Sequence, residues 1–293
     1  MVKLSVVMAV YDGAAELPRT LASIFDQSES DFELLVVDDG SRDDTPALLR
    51  ACRDPRLRVI TQANAGLTAA LVRGCAEASA PVIARHDNGD RSDPRRFAAQ
   101  LALMRDDVVL VSCATRVVGP GGEPLFVSEA DGDAIREGLL HGDVTAIRSI
   151  PHHGSAMFRR DAYLEAGGYR AQFRVAQDLD LWIRLARLGR IAIAGEPLYE
   201  ATFDAHGISG GQRAAQTIAT AVAVQLRDRG PRAELLQAAA NIPRGTRDDA
   251  AGHYFIASCL LRNGDPRWRE YAKRAVRSNP FHLRAWLRLL TGR

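Results

Sequence analysis

Five aspartates stand where an apolar segment gives way to a turn or a helix start. Asp39 closes an apolar run in Asp38-Asp39-Gly40-Ser41. A carboxylate there can accept from the ring N–H of a pyrimidine base, but Asp-Gly-Ser is also a common turn and helix cap. Asp87 and Asp90 follow a second apolar run, in Asp87-Asn88-Gly89-Asp90. A diphosphate leaving group needs its charge neutralised, usually by Mg2+ or Mn2+ held by one or two carboxylates and by phosphate oxygens. The same two residues could instead cap the helix that begins near Pro94. Asp178 and Asp180 precede Leu181-Trp182 at the start of an amphipathic segment. A carboxylate there can take a proton from an acceptor hydroxyl; two acidic residues in a first turn also suit the helix macrodipole.

The elements that must carry these residues alternate. Leu4 to Val10 is a continuous apolar strand, followed by helical spacing over Ala14 to Gln27 with Leu17, Leu21, Ile24 and Phe25 on one face. Phe32 to Val37, Leu57 to Ile60 and Pro81 to Ala84 read as strands, with helices over Thr45 to Cys52 and Thr68 to Ala78 between them. Strands apolar on both faces, alternating with helices, predict an α/β fold with a mostly parallel central sheet. Ligands of such sheets bind beyond the carboxyl ends of the strands. Tyr11-Asp12-Gly13, Asp38 to Ser41 and Asp87 to Asp90 therefore converge on one rim.

Further on, Pro94 to Met104 reads as a helix, Val108 to Cys113 as a strand, and Val117 to Leu125 as a hairpin or loop. Ser155 to Phe158 is a short strand before a helix from Asp161, Asp178 to Leu188 a helix, and Leu198 to Phe203 a last strand. From about Gln212 the chain turns Ala-, Leu- and Arg-rich with helical periodicity. This predicts a principal domain over 1–211 and a helical C-terminal region over 212–293, built like a tetratricopeptide hairpin but too short for an array.

The 293 residues are 46% hydrophobic and 25% charged, ordinary for a globular chain, with a net charge of +2. No apolar run of about 18 residues occurs, so no membrane-spanning helix is expected, and the apolar start reads as a buried strand and not a signal peptide. Cys52, Cys75, Cys113 and Cys259 are scattered, which speaks against zinc or redox motifs and for reduced thiols in a cytoplasmic protein. The bases are almost all arginine, a skew that looks like genome composition, and no nucleic-acid partner is expected. Residues 262–293 hold nine basic side chains against Asp265 and Glu270, a net of +7 that leaves −5 for the rest. That block suits anionic lipid at the inner face of the membrane; a solvated helical face in an arginine-rich chain is the simpler reading of it.

Taken together, the segments resemble a known family. Ser5 to Tyr11, Asp38-Asp39-Gly40-Ser41, Asn64-Ala65-Gly66-Leu67-Thr68, Ala84-Arg85-His86-Asp87 and Asp178-Leu179-Asp180-Leu181-Trp182 have the order and spacing of family 2 glycosyltransferases, which have the GT-A fold. His153 to Arg159 and Gly167-Gly168-Tyr169 resemble the segment before the catalytic motif. The resemblance covers roughly residues 1–210. It implies that Ala9, Tyr11 and Asp39 contact the base or ribose, and that Asp87 and Asn88 lie near the ribose and diphosphate. Asp90 is the implied metal residue, His206 a further candidate, and Asp178 the general base of an inverting displacement. Asp180 and Trp182 would support that loop, and His153 matches a family position. Gly89 stands where the family has a carboxylate, Gln177 where Glu is common, and Leu71 and Val72 where many members carry Arg or Asn.

The resemblance thus implies transfer of a sugar from a nucleotide-diphosphate donor, a UDP-sugar favoured, to a glycan or lipid-linked acceptor. It places the chain in polysaccharide biosynthesis at the cell envelope. A non-catalytic sugar-nucleotide-binding relative is the alternative that Gly89 raises. A sugar-phosphate nucleotidyltransferase needs a basic Gly-rich first loop, and Tyr11-Asp12-Gly13 is not one.

Overall fold

A computed structural model describes residues 2–145, 150–205, 213–243 and 248–292. Among these residues the sheet has nine strands: β1 (Leu4–Val10), β2 (Phe32–Asp38), β3 (Leu57–Thr61), β4 (Val82–Arg85), β5 (Arg91–Ser92), β6 (Val108–Val118), β7 (Pro124–Ser128), β8 (Met157–Arg159) and β9 (Arg190–Thr202). They run in the order β3-β2-β1-β4-β8-β6-β9-β5, with β7 beside β6. β3, β2, β1 and β4 are parallel, as the alternating pattern requires. Their register aligns Val10 with Asp38 and Asp38 with Thr61, so the loops after β1, β2 and β3 leave along one edge.

Period-two alternation decides which core each strand side chain joins. In β1, Leu4, Val6, Met8 and Val10 enter one buried cluster, while Val7 enters another on the opposite face. Helices α1 (Leu17–Phe25), α2 (Thr45–Ala51), α3 (Leu67–Ala76) and α4 (Arg96–Leu103) cover these faces. α1 starts three residues later than the spacing predicts, because residues 14–16 form a turn stapled to the β2 side. Gly74 in α3 lets that helix close on β1 and β2: a Cβ there would stand 2.6 Å from a Val7 methyl carbon.

Beyond β4 the parallel pattern breaks. β8 pairs antiparallel with both β4 and β6. Its reversed direction puts its N-terminal end, and His153 and Gly154 before it, at the rim where β4 ends. β9 is far longer than the predicted Leu198 to Phe203. Gly195-Glu196-Pro197 reads as a breaker, yet the strand continues through it by shifting register against β6 at Cys113 to Thr115. Helix α5 (Gly132–His141) also goes beyond the sequence reading; Asp131 caps it, accepting from the Ala134 amide.

Helices α6 (Arg160–Glu165) and α7 (Gln177–Leu185) follow β8. The helical stretch after residue 212 then divides by packing. α8 (Arg213–Arg229) and α9 (Ala233–Ala240) bury Ala219, Val222, Leu226 and Ala239 in the same core as Leu179 and Trp182. α10 (Asp249–Arg262), α11 (Trp268–Ser278) and α12 (Leu283–Thr291) form a separate cluster with Val117 and Leu125 of the β6–β7 hairpin. The four cysteines are free.

Candidate active site at the strand-end rim

The β1–α1 loop is held by hydrogen bonds to the segment that follows β2. The Asp12 amide donates to Ser41 Oγ, the Gly13 amide to Thr45 Oγ1 and the Ala14 amide to Asp43, while Asp12 accepts from the Arg42 amide at 2.7 Å. Asp12 sits at φ +47; Ala176, just before Asp178, sits at φ +55. Among the described residues these are the two non-glycines with positive φ. Each such conformation costs about 1–3 kcal/mol and persists where the surroundings impose it, often at functional sites.

A cleft of about 340 Å³ opens above this loop, lined by Ala9, Tyr11, Asp12, Glu16, Asp87 and Asn88 among others. Four of the predicted donor-side residues, Ala9, Tyr11, Asp87 and Asn88, thus share one cavity. Asp39 lies beside it, buried, its amide donating to the Val10 carbonyl. Its carboxylate accepts from Gln62 Nε2 and from the Ala65 and Gly66 amides, at 2.7–2.9 Å. Asp39 therefore fixes the Asn64-Ala65-Gly66 loop. Gly40 permits the close approach: its φ is +78, and a Cβ would stand 2.9 Å from the Asn64 amide nitrogen.

Asp87 is anchored from below by Arg85. The guanidinium is fully buried, donating to Asp87 Oδ1 at 2.6 Å, to the carbonyls of Val7 and His86, and to His153 Nε2. The Tyr169 hydroxyl reaches the same His153 nitrogen at 2.8 Å. Burial alone would raise the Asp87 carboxyl, but Arg85 together with the neighbouring His153, His152 and His86 outweighs it and holds the group below the usual carboxylate range. Burial, then Arg85, push His153 down to about 3, so its ring is neutral. Arg96, also fully buried, donates to Ser92, Gln100 and the carbonyls of Arg85 and Gly154, tying the β4 end to the β8 approach.

Asp90 sits deeper. Its Oδ2 accepts from the Tyr199 hydroxyl at 2.8 Å and its Oδ1 from the Thr202 amide at 2.9 Å. Burial, then the Asp87 charge, raise its pKa. Gly89 has φ +98, with its amide donating to Thr20 Oγ1 and its carbonyl accepting from Thr202. The missing family carboxylate is thus replaced by a backbone conformation that an L side chain rarely adopts. Asn88 donates to the Gly13 carbonyl, and its Oδ1 is buried without a partner among the described residues. No group of three or more His, Cys, Asp or Glu arranged to hold a metal occurs among the described residues. The donor set does not make a closed cage. It does fit a cation that takes most of its ligands from phosphate oxygens, with Asp87 and Asn88 Oδ1 as the available protein oxygens. Both Asp90 oxygens already accept a hydrogen bond, from Tyr199 and from Thr202. His206 lies outside the described residues.

Asp178 opens α7 and is partly buried. Burial raises its pKa, and Asp87 adds to the rise while the Leu179 amide and Arg85 oppose it. Asp180 is buried and clamped by Arg170 at 2.7 Å and Arg184 at 2.6 Å, fixing the loop before the helix. Trp182 is buried among Phe158 and His153, its indole N–H donating to the Pro151 carbonyl. Leu71 is buried in the core, whereas Val72 is exposed.

Sequence reasoning assigned no role to Arg85, Arg96 or Tyr199. Arg85 carried a signal, since two residues apart on an extended chain puts it on the same side as Asp87. Arg96 and Tyr199 carried none, because the backbone carbonyls that Arg96 serves lie 11 and 58 positions away and the groups that Tyr199 meets lie 109 and 112 away.

The Glycosyl transferase family 2 description matches residues 5–167. EpsE of Bacillus subtilis (strain 168) is 31% identical over 193 residues, 64% of this chain and 68% of that protein. The O-antigen biosynthesis glycosyltransferase WbnJ of Escherichia coli is 27% identical over 191 residues, 62% and 71% of the two chains. Among solved structures, S. aureus TarS 1-349 in complex with UDP is similar at a TM-score of 0.58 and 15% identity, covering 95% of this chain and 81% of that one. The mannosyltransferase PcManGT from Pyrobaculum calidifontis, in complex with GDP-Man and Mn2+, is similar at a TM-score of 0.60 and 18% identity, covering 100% and 88%. At such identities the likeness shows the fold, GT-A.

Proposed function

The chain belongs to glycosyl transferase family 2, and on that premise we propose that it moves a sugar from a nucleoside-diphosphate donor, UDP-linked by preference, to a glycan or lipid-linked acceptor with inversion. A place in polysaccharide biosynthesis, and peripheral contact with anionic membrane through the basic C-terminal helices, belong to the same reading. UDP in the TarS complex and GDP-Man in the mannosyltransferase complex support a nucleotide donor.

One observation carries the reaction. The pKa values of two carboxylates are shifted in opposite directions: Asp87 is held low by Arg85 and the histidines beside it, against its burial, and Asp178 is pushed up by burial and by Asp87. Separated carboxylates of this kind mark a division of labour. Asp87 meets the diphosphate end of the donor, with Ala9, Tyr11 and Asp39 toward the base. A divalent cation bound through Asp87 and Asn88 would neutralise the departing diphosphate. Asp178 accepts the acceptor hydroxyl proton as that oxygen bonds to the anomeric carbon. The bond from that carbon to the diphosphate oxygen breaks, and its electron pair leaves with the diphosphate. A raised pKa makes Asp178 a stronger base than an ordinary aspartate.

The test is Asp178→Asn, with transfer and nucleoside-diphosphate release measured beside donor binding by thermal shift. The expected outcome is a loss of roughly 10²- to 10⁴-fold in kcat with donor affinity kept. Wild-type kcat should fall with acid at a pH above the usual aspartate range of about 4. Unchanged turnover in the variant would remove Asp178 from its role. Gly89 favours a second reading, donor binding without turnover; any wild-type transfer excludes it.

A further inference from the structure

Helix α12 faces the protein with its poorer side. Ala285 and Leu289 pack inward against the α10–α11 cluster. Arg288 reaches back as well, donating to Ser258 Oγ at 2.6 Å with its guanidinium over the Tyr254 ring. The other large apolar residues point away from that cluster. Leu283 is 74% exposed, Leu287 59%, Leu290 79% and Trp286 44%, with Phe281 at 88% just before the helix. Leu283, Trp286, Leu287 and Leu290 recur at i, i+3, i+4 and i+7, one stripe of roughly 100°. A globular helix turns such a stripe toward its own core; this one turns it outward.

We propose that α12 is an interfacial helix that lays Leu283, Leu287 and Leu290 into the headgroup boundary of an anionic bilayer, with Trp286 at the interface. This rests on the peripheral membrane reading above and deepens it from charge attraction to apolar insertion. The chemistry of the block selects the occupant. Residues 262–293 carry a net +7, and Lys273, Arg277 and Arg284 are exposed. An exposed apolar stripe with tryptophan, embedded in cationic sequence, is the signature of a helix lying in the interface plane. A second copy suits it less, since an isologous pairing would set one +7 block against another. Among the described residues no helix is long and apolar enough to cross a membrane.

Trp286 provides the readout. The chain has three tryptophans, and Trp182 and Trp268 are buried. The full chain is mixed with vesicles of phosphatidylcholine alone and of phosphatidylcholine with phosphatidylglycerol, at low and high salt, and followed by co-sedimentation and emission. On the anionic vesicles the emission shifts to the blue and acrylamide quenching falls. Leu283→Ser/Leu290→Ser, both at exposed positions, weakens partition by roughly tenfold or more with melting temperature unchanged. Trp286→Phe removes the shift and keeps binding. Binding that salt abolishes, with unchanged emission and an unaffected double variant, overturns insertion and leaves charge attraction standing. No binding to either vesicle overturns both. Self-association in solution that the double variant relieves assigns the face to a second copy and overturns the proposal.

Discussion

At the strand-end rim, Arg85 and Arg96 are wholly buried, while in α12 Leu283 and Leu290 stand in solvent. Both regions invert the usual sorting of polar and apolar groups, and such inversions are the informative ones. They differ in how the inversion is satisfied. Each buried guanidinium at the rim finds its partners inside the chain: Asp87, His153, Ser92, Gln100 and the carbonyls of Val7, Arg85, His86 and Gly154. The rim is therefore a polar cradle assembled by folding, ready before any ligand arrives. The α12 stripe has its large side chains pointing away from the fold, so its complement must come from elsewhere.

The sharpest way to break the rim half of that comparison is Arg85→Met. It removes the cation beneath Asp87 and strips the Val7 and His86 carbonyls of a donor. Because the guanidinium is fully buried and the pair specific, the expected loss is roughly 3 kcal/mol of stability, read as denaturant midpoint. Without Arg85 the Asp87 carboxyl should climb, so nucleotide binding weakens on acidification at a higher pH than in the wild type. A midpoint within error of the wild type would show that the cradle does not depend on its buried charge.

How much of this was legible beforehand differs between the two regions. β1 and β2 were readable because both faces are apolar and glycine- or aspartate-rich turns bound them, Asp39 and Asp87 because they follow apolar strands, and Asp178 because it begins an amphipathic helix. The antiparallel insertion of β8 was not, since pairing partners are set by tertiary closure and not by the three residues themselves. The first half of β9 hid behind Gly195 and Pro197. Arg96 read as an ordinary helix residue; nothing local marks a guanidinium that will serve two backbone carbonyls. The +7 block was countable, but the direction of the α12 stripe was not. Periodicity gives a stripe's existence, and only packing says which way it faces.

Gly89→Asp tests a smaller effect. It restores the carboxylate that the family pattern expects, at a position with φ +98 whose amide and carbonyl are both bonded. A Cβ there finds space, with Glu16 Cγ 3.9 Å away, so the penalty is conformational, about 1–3 kcal/mol. The added charge would also enter beside Glu16 and Asp87. The expected variant melts lower and gains no Mn2+ affinity in isothermal titration with nucleoside diphosphate. A variant of full stability that binds Mn2+ more tightly would mean that the turn relaxes freely, and that the rim is less preorganised than its bonds imply.

Tyr271→Phe sharpens the other half. The Tyr271 hydroxyl donates to Glu123 Oε1 at 2.9 Å, fastening α11 to the β6–β7 turn in a buried spot. Burial, then Glu123, push the phenol up to about 12, so it stays a donor throughout the working range. Glu123 keeps the Gly121 amide on Oε2 and Arg267 nearby at 4.0 Å, so one bond is lost without stranding the carboxylate. That is worth about 1 kcal/mol, visible as a small fall in melting temperature. Glycosyl transfer to a soluble acceptor should be unchanged, because the bond lies in the α10–α12 cluster and not in the rim. If transfer falls along with stability, the helices that carry the exposed stripe are coupled to the catalytic half, and the two regions must be treated as one device.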